Sequence, residues 1–348
     1  MLTDITVEQI LDRLPALTIG VMGDLFLDRY LDIDAELTEP SLETGLDAYQ
    51  VSQVRSYPGA AGTVINNLAA LGVKQVIAIS VIGDDGEGHE LRQGLAPLRV
   101  VNTDCLLSLK GTPFRTPTYT KPIFCERGRP PRELNRLDIK NRRPLPETAE
   151  DHVLRALDKK WPLMNALVVL DQVSEANCGV ITERVRQQLE QFGQAEPEKL
   201  ILADSRARIG LFRYVTTKPN RTECLKAAGL PEKELQAITT GAWKLAHLTE
   251  RAVFCTAGDK GIFLMEPGTD KPAALQVLAY PVSGPIDIVG AGDSTSAGIA
   301  CASAAGASPT EAAAFGNLVA SITIQQIGIT GTATPEQVRR RWREVRLA

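Results

Sequence analysis

The residues best suited to do chemistry are the four in Gly290-Ala291-Gly292-Asp293, inside Gly284-Pro-Ile-Asp-Ile-Val-Gly-Ala-Gly-Asp-Ser-Thr-Ser-Ala-Gly298. Glycines at 290 and 292 let the backbone turn sharply with no Cβ in the way, so successive N–H groups converge where a small-residue helix begins. Such a point attracts an anion. A carboxylate beside it repels that anion unless it has a task, and the natural task is taking the proton of a hydroxyl that attacks a phosphoryl group. The same residues also read as a glycine-rich turn with Asp293 as an ordinary helix N-cap, approached by a strand-like, Pro-punctuated segment.

The elements that must position this turn follow a βαβ alternation. Leu17-Thr-Ile-Gly-Val-Met22 reads as a buried strand ending in Gly23-Asp24. In an open parallel sheet ligands sit at the carboxyl ends of strands, so Asp24 is either a holder of a substrate hydroxyl or a turn aspartate. Further strands are expected at 75–82, 166–170, 200–204 and 214–217, with helices at 4–14, 87–95, 147–160, 179–192 and up to 248. The pair 252–256 and 261–265, joined by Ala257-Gly-Asp-Lys260, reads as a hairpin. Helices follow at 311–326 and from Thr334-Pro-Glu-Gln337, which has an N-cap, a proline at the first helical position and a capping-box glutamine.

Two polar excursions interrupt this pattern, at about 28–57 and 106–140. The first alternates as Tyr49-Gln-Val-Ser-Gln-Val-Arg55; the second offers strands at 118–124 and 134–139. Paired, they would form a small sheet over the main layer, a lid that keeps water from a phosphoryl-transfer site. Between them Pro58 to Gly72 reads as a helix with a small-residue start that lets a ligand approach its backbone. No internal repeat or linker breaks the chain, so 1–348 is expected to form one domain carrying the lid.

The chain has 348 residues, 44% of them hydrophobic, and a net charge of −4 with both signs interspersed, which gives no footprint for nucleic acid. Cysteines 105, 125, 178, 224, 255 and 301 form no C-x-x-C pair, which disfavours zinc and disulfide frameworks and fits a cytoplasmic protein. No basic leader precedes an apolar stretch, and no run reaches the roughly 18 apolar residues of a membrane span. Histidines 89, 152 and 247 sit in no catalytic spacing. Neither G-x-x-x-x-G-K-[ST] nor a G-x-G-x-x-G after the first strand occurs, so nucleotide binding needs another basis.

Asp287-Ile-Val-Gly-Ala-Gly-Asp293 resembles the D-T-x-G-A-G-D signature of the ribokinase-like (PfkB) family of carbohydrate kinases. Other family features occur in order: Gly23-Asp24, the small-residue segment Pro58 to Asn67, Asn220-Arg-Thr-Glu223 for N-x-x-E, and Thr256-Ala-Gly-Asp-Lys-Gly261 for T-x-G-x-x-G. Within the family the chain is most similar to kinases of D-glycero-D-manno-heptose 7-phosphate, through Gly23-Asp-Leu-Phe-Leu-Asp-Arg-Tyr30, Thr116-Pro-Thr-Tyr-Thr-Lys121 and Asn135-Arg-Leu-Asp138. Those kinases are often fused to an adenylyltransferase; no H-x-G-H motif of that half occurs before Ala348, so kinase activity alone is expected.

The resemblance implies an α/β/α sandwich with a mostly parallel sheet and a small β lid, using ATP and Mg²⁺ to phosphorylate a sugar or sugar phosphate. It assigns Asp293 as base and the amides of Ala291, Gly292 and Asp293 as the anion hole entered through Gly290. Asp24, Gly59, Ala60, Thr63 and Asn67 would meet the sugar. Asn220, Glu223, Thr256, Gly258, Gly261 and Asn317 would border the nucleotide, with Glu223 holding Mg²⁺ through water. Asp287 would either bind a monovalent cation such as K⁺ or cap its turn. Lys121, Arg132 and Arg136 would meet a sugar phosphate or form a solvated basic face.

The departures concern the sugar. Gly59-Ala60-Ala61-Gly62-Thr63 lacks the second glycine and the asparagine usual in the family, and 39–47 lacks the Ser-Pro-Glu-Ala-Pro run of the heptose kinases. A non-catalytic binding regulator with this fold and a nucleoside kinase are the alternatives. A homodimer joined through the lid is the expected assembly.

Overall fold

The computed structural model describes residues 2–231 and 236–346. It opens with α1 (Asp4–Arg13), capped by the Thr3 hydroxyl accepting from the Thr6 amide at 3.1 Å, and enters β1 (Thr18–Gly23). β2 (Leu25–Pro40) and β3 (Asp47–Ala60) leave the main layer, and α2 (Ala61–Leu71) returns, stopping at Gly72 with φ +86°. Then come β4 (Gln75–Gly83), α3 (Gly86–Leu95), β5 (Val101–Leu109), β6 (Thr118–Cys125), β7 (Arg132–Glu133) and β8 (Leu137–Ile139). The alternating part that follows contains α4 (Glu147–Lys160), β9 (Ala166–Asp171), α5 (Glu183–Ala195), β10 (Leu200–Ser205), β11 (Thr216–Thr217), α6 (Arg221–Ala227) and α7 (Gln236–Thr249). Last are β12 (Val253–Thr256), β13 (Ile262–Met265), β14 (Leu275–Val277), α8 (Ala291–Ala304), α9 (Pro309–Thr323) and α10 (Pro335–Val345).

The central sheet has the order β14-β13-β12-β11-β10-β9-β1-β4-β5, parallel except for the antiparallel β13 and β14 at one edge. Its apolar strands alternate between two cores. Val168 and Leu170 of β9 point into one, with Val7 of α1, Leu68 of α2, Leu91 of α3, Ala300 of α8 and Phe315 of α9. Leu167 and Val169 point into the other, with Val153 of α4, Val185 of α5 and Ile238 of α7. Helices therefore cover both faces, which is why these strands read as continuous apolar runs.

A second, five-stranded sheet has the order β3-β2-β6-β7, with β8 on β6. Its long β2–β3 ribbon is antiparallel, while β2 and β6 pair in parallel from Leu27↔Thr118 to Asp34↔Cys125. The second excursion begins later than expected: residues 106–109 complete β5 beside β4 in the central sheet (Val81↔Leu107), and the pairing strands lie within 25–60 and 118–139. α5 starts at Glu183 because the Thr182 hydroxyl accepts from the Val185 amide at 3.2 Å, leaving 179–182 as a loop. Residues 284–289 form no strand, their Asp287 amide donating instead to the Ile324 carbonyl at 2.8 Å. Of the expected helical run ending at 248, residues 232–235 lie outside the described residues.

The sheet places a site by its topology. From β1 the chain goes outward to β4 and β5, then returns to β9 on the other side of β1, so a crevice opens at the carboxyl ends there. Among the described residues, no helix is long and apolar enough to cross a membrane.

Candidate active site

A cleft of about 470 Å³ lies between the second sheet, the start of α8 and the carboxyl ends of β10–β12. Gly290, Gly292 and Asp293 line it from α8, and Asn220, Glu223 and Thr256 from the β11–α6 and β12 ends. Gly290 has φ +80°, a conformation that L side chains rarely adopt. A Cβ there would stand 2.6 Å from Thr330 Cγ2 and 3.3 Å from Thr63 Cγ2, so the two threonine methyls leave no room for a side chain. The first ladder bond of α8 runs from the Ser294 amide to the Gly290 carbonyl, 2.9 Å. The amides of Gly292 and Asp293 precede that ladder and suit an anion, with the helix dipole adding to their pull. The Ala291 amide does not join them: it turns back onto the Ile288 carbonyl at 3.1 Å, which corrects the expected anion hole.

A charged cluster surrounds this turn. Lys218 Nζ lies 2.8 Å from Asp204 Oδ2, with side-chain exposures of 3% and 11%. Burial would lower Lys218, but Asp204, helped by Glu223 and Asp293, holds it above the ordinary lysine value. The same ammonium is 3.6 Å from where a Cβ of Gly292 would stand. Asp293 is half-buried, and burial followed by the like charge of Asp204 pushes it up to about 7 against the pull of Lys218 and Arg206. Burial, then Asp204, also raises Glu223. A carboxylate poised near neutrality beside an anion hole and a buried cation is what a general base in phosphoryl transfer needs.

The family profile described as pfkB family carbohydrate kinase matches residues 26–337. The chain belongs to the pfkB family of carbohydrate kinases. It is similar to the bifunctional protein HldE of Desulfatibacillum aliphaticivorans, 27% identical over 319 residues covering 91% of this chain and 61% of that protein. The HldE of Pelobacter propionicus is 29% identical, with 96% and 64% covered. The chain thus spans less than two thirds of the length of these relatives. Its fold matches that of Arabidopsis thaliana ribokinase complexed with ribose and ATP, TM-score 0.67 at 17% identity over 93% of this chain and 98% of that one. It also matches Escherichia coli phosphofructokinase-2 in complex with potassium, TM-score 0.70 at 16% identity over 95% and 99%.

The sugar-side assignments divide. Ala60 and Thr63 line the cleft. Ala60 is held at φ +52°, a conformation that suits glycine better than an L residue. Asp24 is not in the cleft. Its Oδ2 accepts from the amides of Gln172 (2.8 Å) and Val173 (3.0 Å), and its Oδ1 from Val180 (2.7 Å). Burial and then Asp171 raise it to about 6 while the three amides oppose the shift, so it is an internal brace. Asn67, fully buried, donates to the Thr63 and Gly331 carbonyls at 3.0 and 3.3 Å and ties α2 to the 331 loop. Gly59 faces Asp28: an added Cβ would stand 2.5 Å from its Oδ2.

The nucleotide-side assignments also divide. Gly258 borders a shallow groove with Asn220, Thr256 and Lys260, adjoining the cleft. Gly261 (φ +79°) serves the backbone, since a Cβ there would be 2.1 Å from the Val277 carbonyl oxygen. Asn317 donates to the Val277 and Leu278 carbonyls at 3.0 and 3.1 Å and so anchors β14. Both oxygens of Asp287 accept backbone amides, from Val289 at 3.0 Å and Gly328 at 3.2 Å, the geometry of a turn cap. None of the three histidines lines the cleft.

Sequence reasoning missed Asp204, Arg206 and Lys218, which all line the cleft. The signal was available for Asp204, which ends a buried strand as Asp24 does, and for Lys218, two residues before Asn220.

The donor set bears on a metal. Glu223 Oε2 accepts from the Asn220 amide at 2.8 Å in a capping box, the residue lines the cleft, and Asp204 is held by Lys218. Among the described residues there is no group of three or more His, Cys, Asp and Glu able to hold an ion. One or two carboxylates suit Mg²⁺, which keeps waters and takes its other ligands from substrate phosphates.

Proposed function

We propose that this chain transfers the γ-phosphoryl group of ATP to a sugar hydroxyl, with Asp293 as the general base. The observation that carries this reading is Asp293, raised to about 7, at the start of α8 beside the Gly292 amide and the Lys218 ammonium. Asp293 takes the hydroxyl proton as the oxygen attacks. The Gly292 and Asp293 amides and Lys218 hold the equatorial oxygens of the transferring group as its charge spreads. Asn220, Thr256 and Gly258 border the nucleotide, and Glu223, through water, would hold Mg²⁺, which neutralises phosphate charge when bound. Thr63 and Ala60 border the acceptor. The second sheet excludes water when it closes over both substrates.

Tyr49, Val51 and Val54, exposed on β3, with Leu46 exposed in the turn before it, support a homodimer formed through that sheet, which light scattering in solution tests. Free, mostly buried cysteines and ATP use are consistent with the cytoplasm. Asp287, engaged by two amides, gives no support of its own to a K⁺ requirement, which assays in potassium and in choline salts decide. ADP release from ATP across a panel of sugars, sugar phosphates and nucleosides tests the main reading. Sugar-dependent turnover lost in a folded Asp293→Asn variant supports it, nucleoside-only turnover replaces it with a nucleoside kinase, and tight sugar binding without turnover replaces it with a regulator.

A further inference from the structure

One cation of the cleft has no counter-charge, and the task assigned to it here rests on the phosphoryl-transfer reading above. Lys121 Nζ lies 3.4 Å from Asp28 Oδ1, Arg136 forks onto both oxygens of Asp138 at 2.6 and 2.9 Å, and Lys218 holds Asp204 at 2.8 Å. Arg206 lines the same cleft and is exposed, yet among the described residues its guanidinium meets no carboxylate. The backbone beneath it is fastened on both sides. The Arg206 amide donates to the Asp171 carbonyl at 3.2 Å, the Ser205 hydroxyl to Asp171 Oδ2 at 2.6 Å, and the Arg208 amide to the Ser205 hydroxyl at 3.0 Å. Arg208, on the same turn, is buried, with Nε on Asp171 Oδ2 at 3.1 Å and a terminal nitrogen on the Ser174 carbonyl at 2.9 Å. The turn after β10 thus uses one arginine to brace itself and presents the other to the cleft.

A free guanidinium on a fixed turn suits an oxyanion that takes parallel hydrogen bonds. Its charge reaches both sides of the transfer path. Burial and then Asp204 raise Asp293, and Lys218 followed by Arg206 pulls it back; the same two causes raise Glu223, which the Asn220 amide, Lys218 and Arg206 pull back. The transferring phosphoryl group passes between those two carboxylates, so the charge of Arg206 is set over its path. In that step the acceptor oxygen bonds to the γ-phosphorus and the bond from phosphorus to the β,γ-bridging oxygen breaks, its electron pair staying on ADP. The hydroxyl proton goes to Asp293. Charge then lies on the equatorial and leaving oxygens, and Lys218 meets it with one donor already given to Asp204. We propose that Arg206 is a catalytic residue whose guanidinium holds the equatorial and leaving oxygens of the transferring phosphoryl group in the transition state. It makes and breaks no bond of its own.

Because the Arg206 side chain is exposed, its variants should keep the wild-type melting temperature. With ATP as its magnesium salt and the best acceptor from the panel above, Arg206→Gln should lower kcat about 100-fold while both KM values stay within about threefold, as for an interaction made only in the transition state. Arg206→Lys, which keeps the charge but not the fork, should regain part of the loss. Calorimetry on the intact protein, with ADP, magnesium and aluminium fluoride standing in for the transferring group, should show binding about 100-fold weaker in Arg206→Gln, with ADP alone bound equally by both proteins. An unchanged kcat overturns the inference, as does a KM that rises only for acceptors carrying a phosphate ester, which would put Arg206 on the acceptor; both leave the kinase reading standing. Absence of turnover across the whole panel refutes the kinase reading instead, and calorimetry then decides the inference. Aluminium fluoride that tightens ADP binding in the wild type and not in Arg206→Gln upholds it, and an equal effect or none in the two proteins overturns it.

Discussion

Lys218 Nζ sits 2.8 Å from Asp204 Oδ2, and the same ammonium lies against Gly292 at the start of α8. One buried ion pair therefore serves both the fold and the anion hole. Removing one member strands the other charge, a loss of roughly 3–5 kcal/mol. Lys218→Met is expected to lower the melting temperature and to cut kcat by about 10²–10³, the scale of one lost oxyanion donor. In the double variant Lys218→Met with Asp204→Asn, much of the thermal stability should return while kcat stays low. Recovery of kcat along with stability would show that the pair is structural only.

The pH dependence follows from Asp293, whose ordinary value of 3.8 rises to about 7 through burial and then the charge of Asp204. A general base works deprotonated, so kcat/KM should rise with pH and level off above about 7. The stability effect has the opposite sign. Between 3.8 and about 7 the unfolded chain has released this proton and the folded chain keeps it, so the contribution of Asp293 to stability falls as pH rises through that window. Asp293→Asn should therefore abolish turnover yet gain melting temperature over wild type as pH goes from 4 to 8. A kcat/KM profile that stays flat from pH 5 to 8 would remove Asp293 from the base role.

Much of this was legible in the chain because its local chemistry is consistent. β1, β4, β9 and β10 read as strands since helices on both faces make them continuously apolar, and Thr334-Pro-Glu-Gln337 forms the capping box that its residues announce, the Gln337 side chain accepting from the Thr334 amide at 2.8 Å. The anion-hole turn was legible from glycine spacing, but the reversal of the Ala291 amide was not, because it depends on a carbonyl of the irregular 284–289 approach. The Lys218–Asp204 pair was hidden because nothing local marks it: parallel β10 and β11 bring the two side chains together at their carboxyl ends. Asp24, Asn67 and Asn317 were misplaced for a shared reason. Position along a strand or helix identifies the end of an element, but not whether a polar side chain there faces the cleft or neighbouring backbone.

Gly290 offers a steric test of the turn itself. Its φ of +80° costs an L residue about 1–2 kcal/mol, and an added Cβ would meet Thr330 Cγ2 at 2.6 Å. Gly290→Ala is expected to lower kcat more than KM, since the turn would shift the Gly292 and Asp293 amides from their aim, with a fall in melting temperature. Adding Thr330→Ser removes the offending methyl and should restore part of both. If the second change restores neither, the backbone conformation rather than the threonine contact accounts for the loss.

Asp24 separates bracing from binding. Its carboxylate takes three backbone amides from 172, 173 and 180, its own amide donates to the Leu170 carbonyl at 3.0 Å, and its carbonyl accepts from Ala61 at 3.1 Å. These bonds fasten the end of β1 to the loop after β9 and to the start of α2, across the crevice at which strand order reverses. An asparagine keeps the shape but sets an NH₂ group against amides that also donate, leaving buried donors without acceptors at about 1–3 kcal/mol each. Asp24→Asn should therefore lower the melting temperature by several degrees while the folded fraction keeps its KM for the acceptor. A tenfold rise in that KM with an unchanged melting temperature would instead put Asp24 in contact with the sugar.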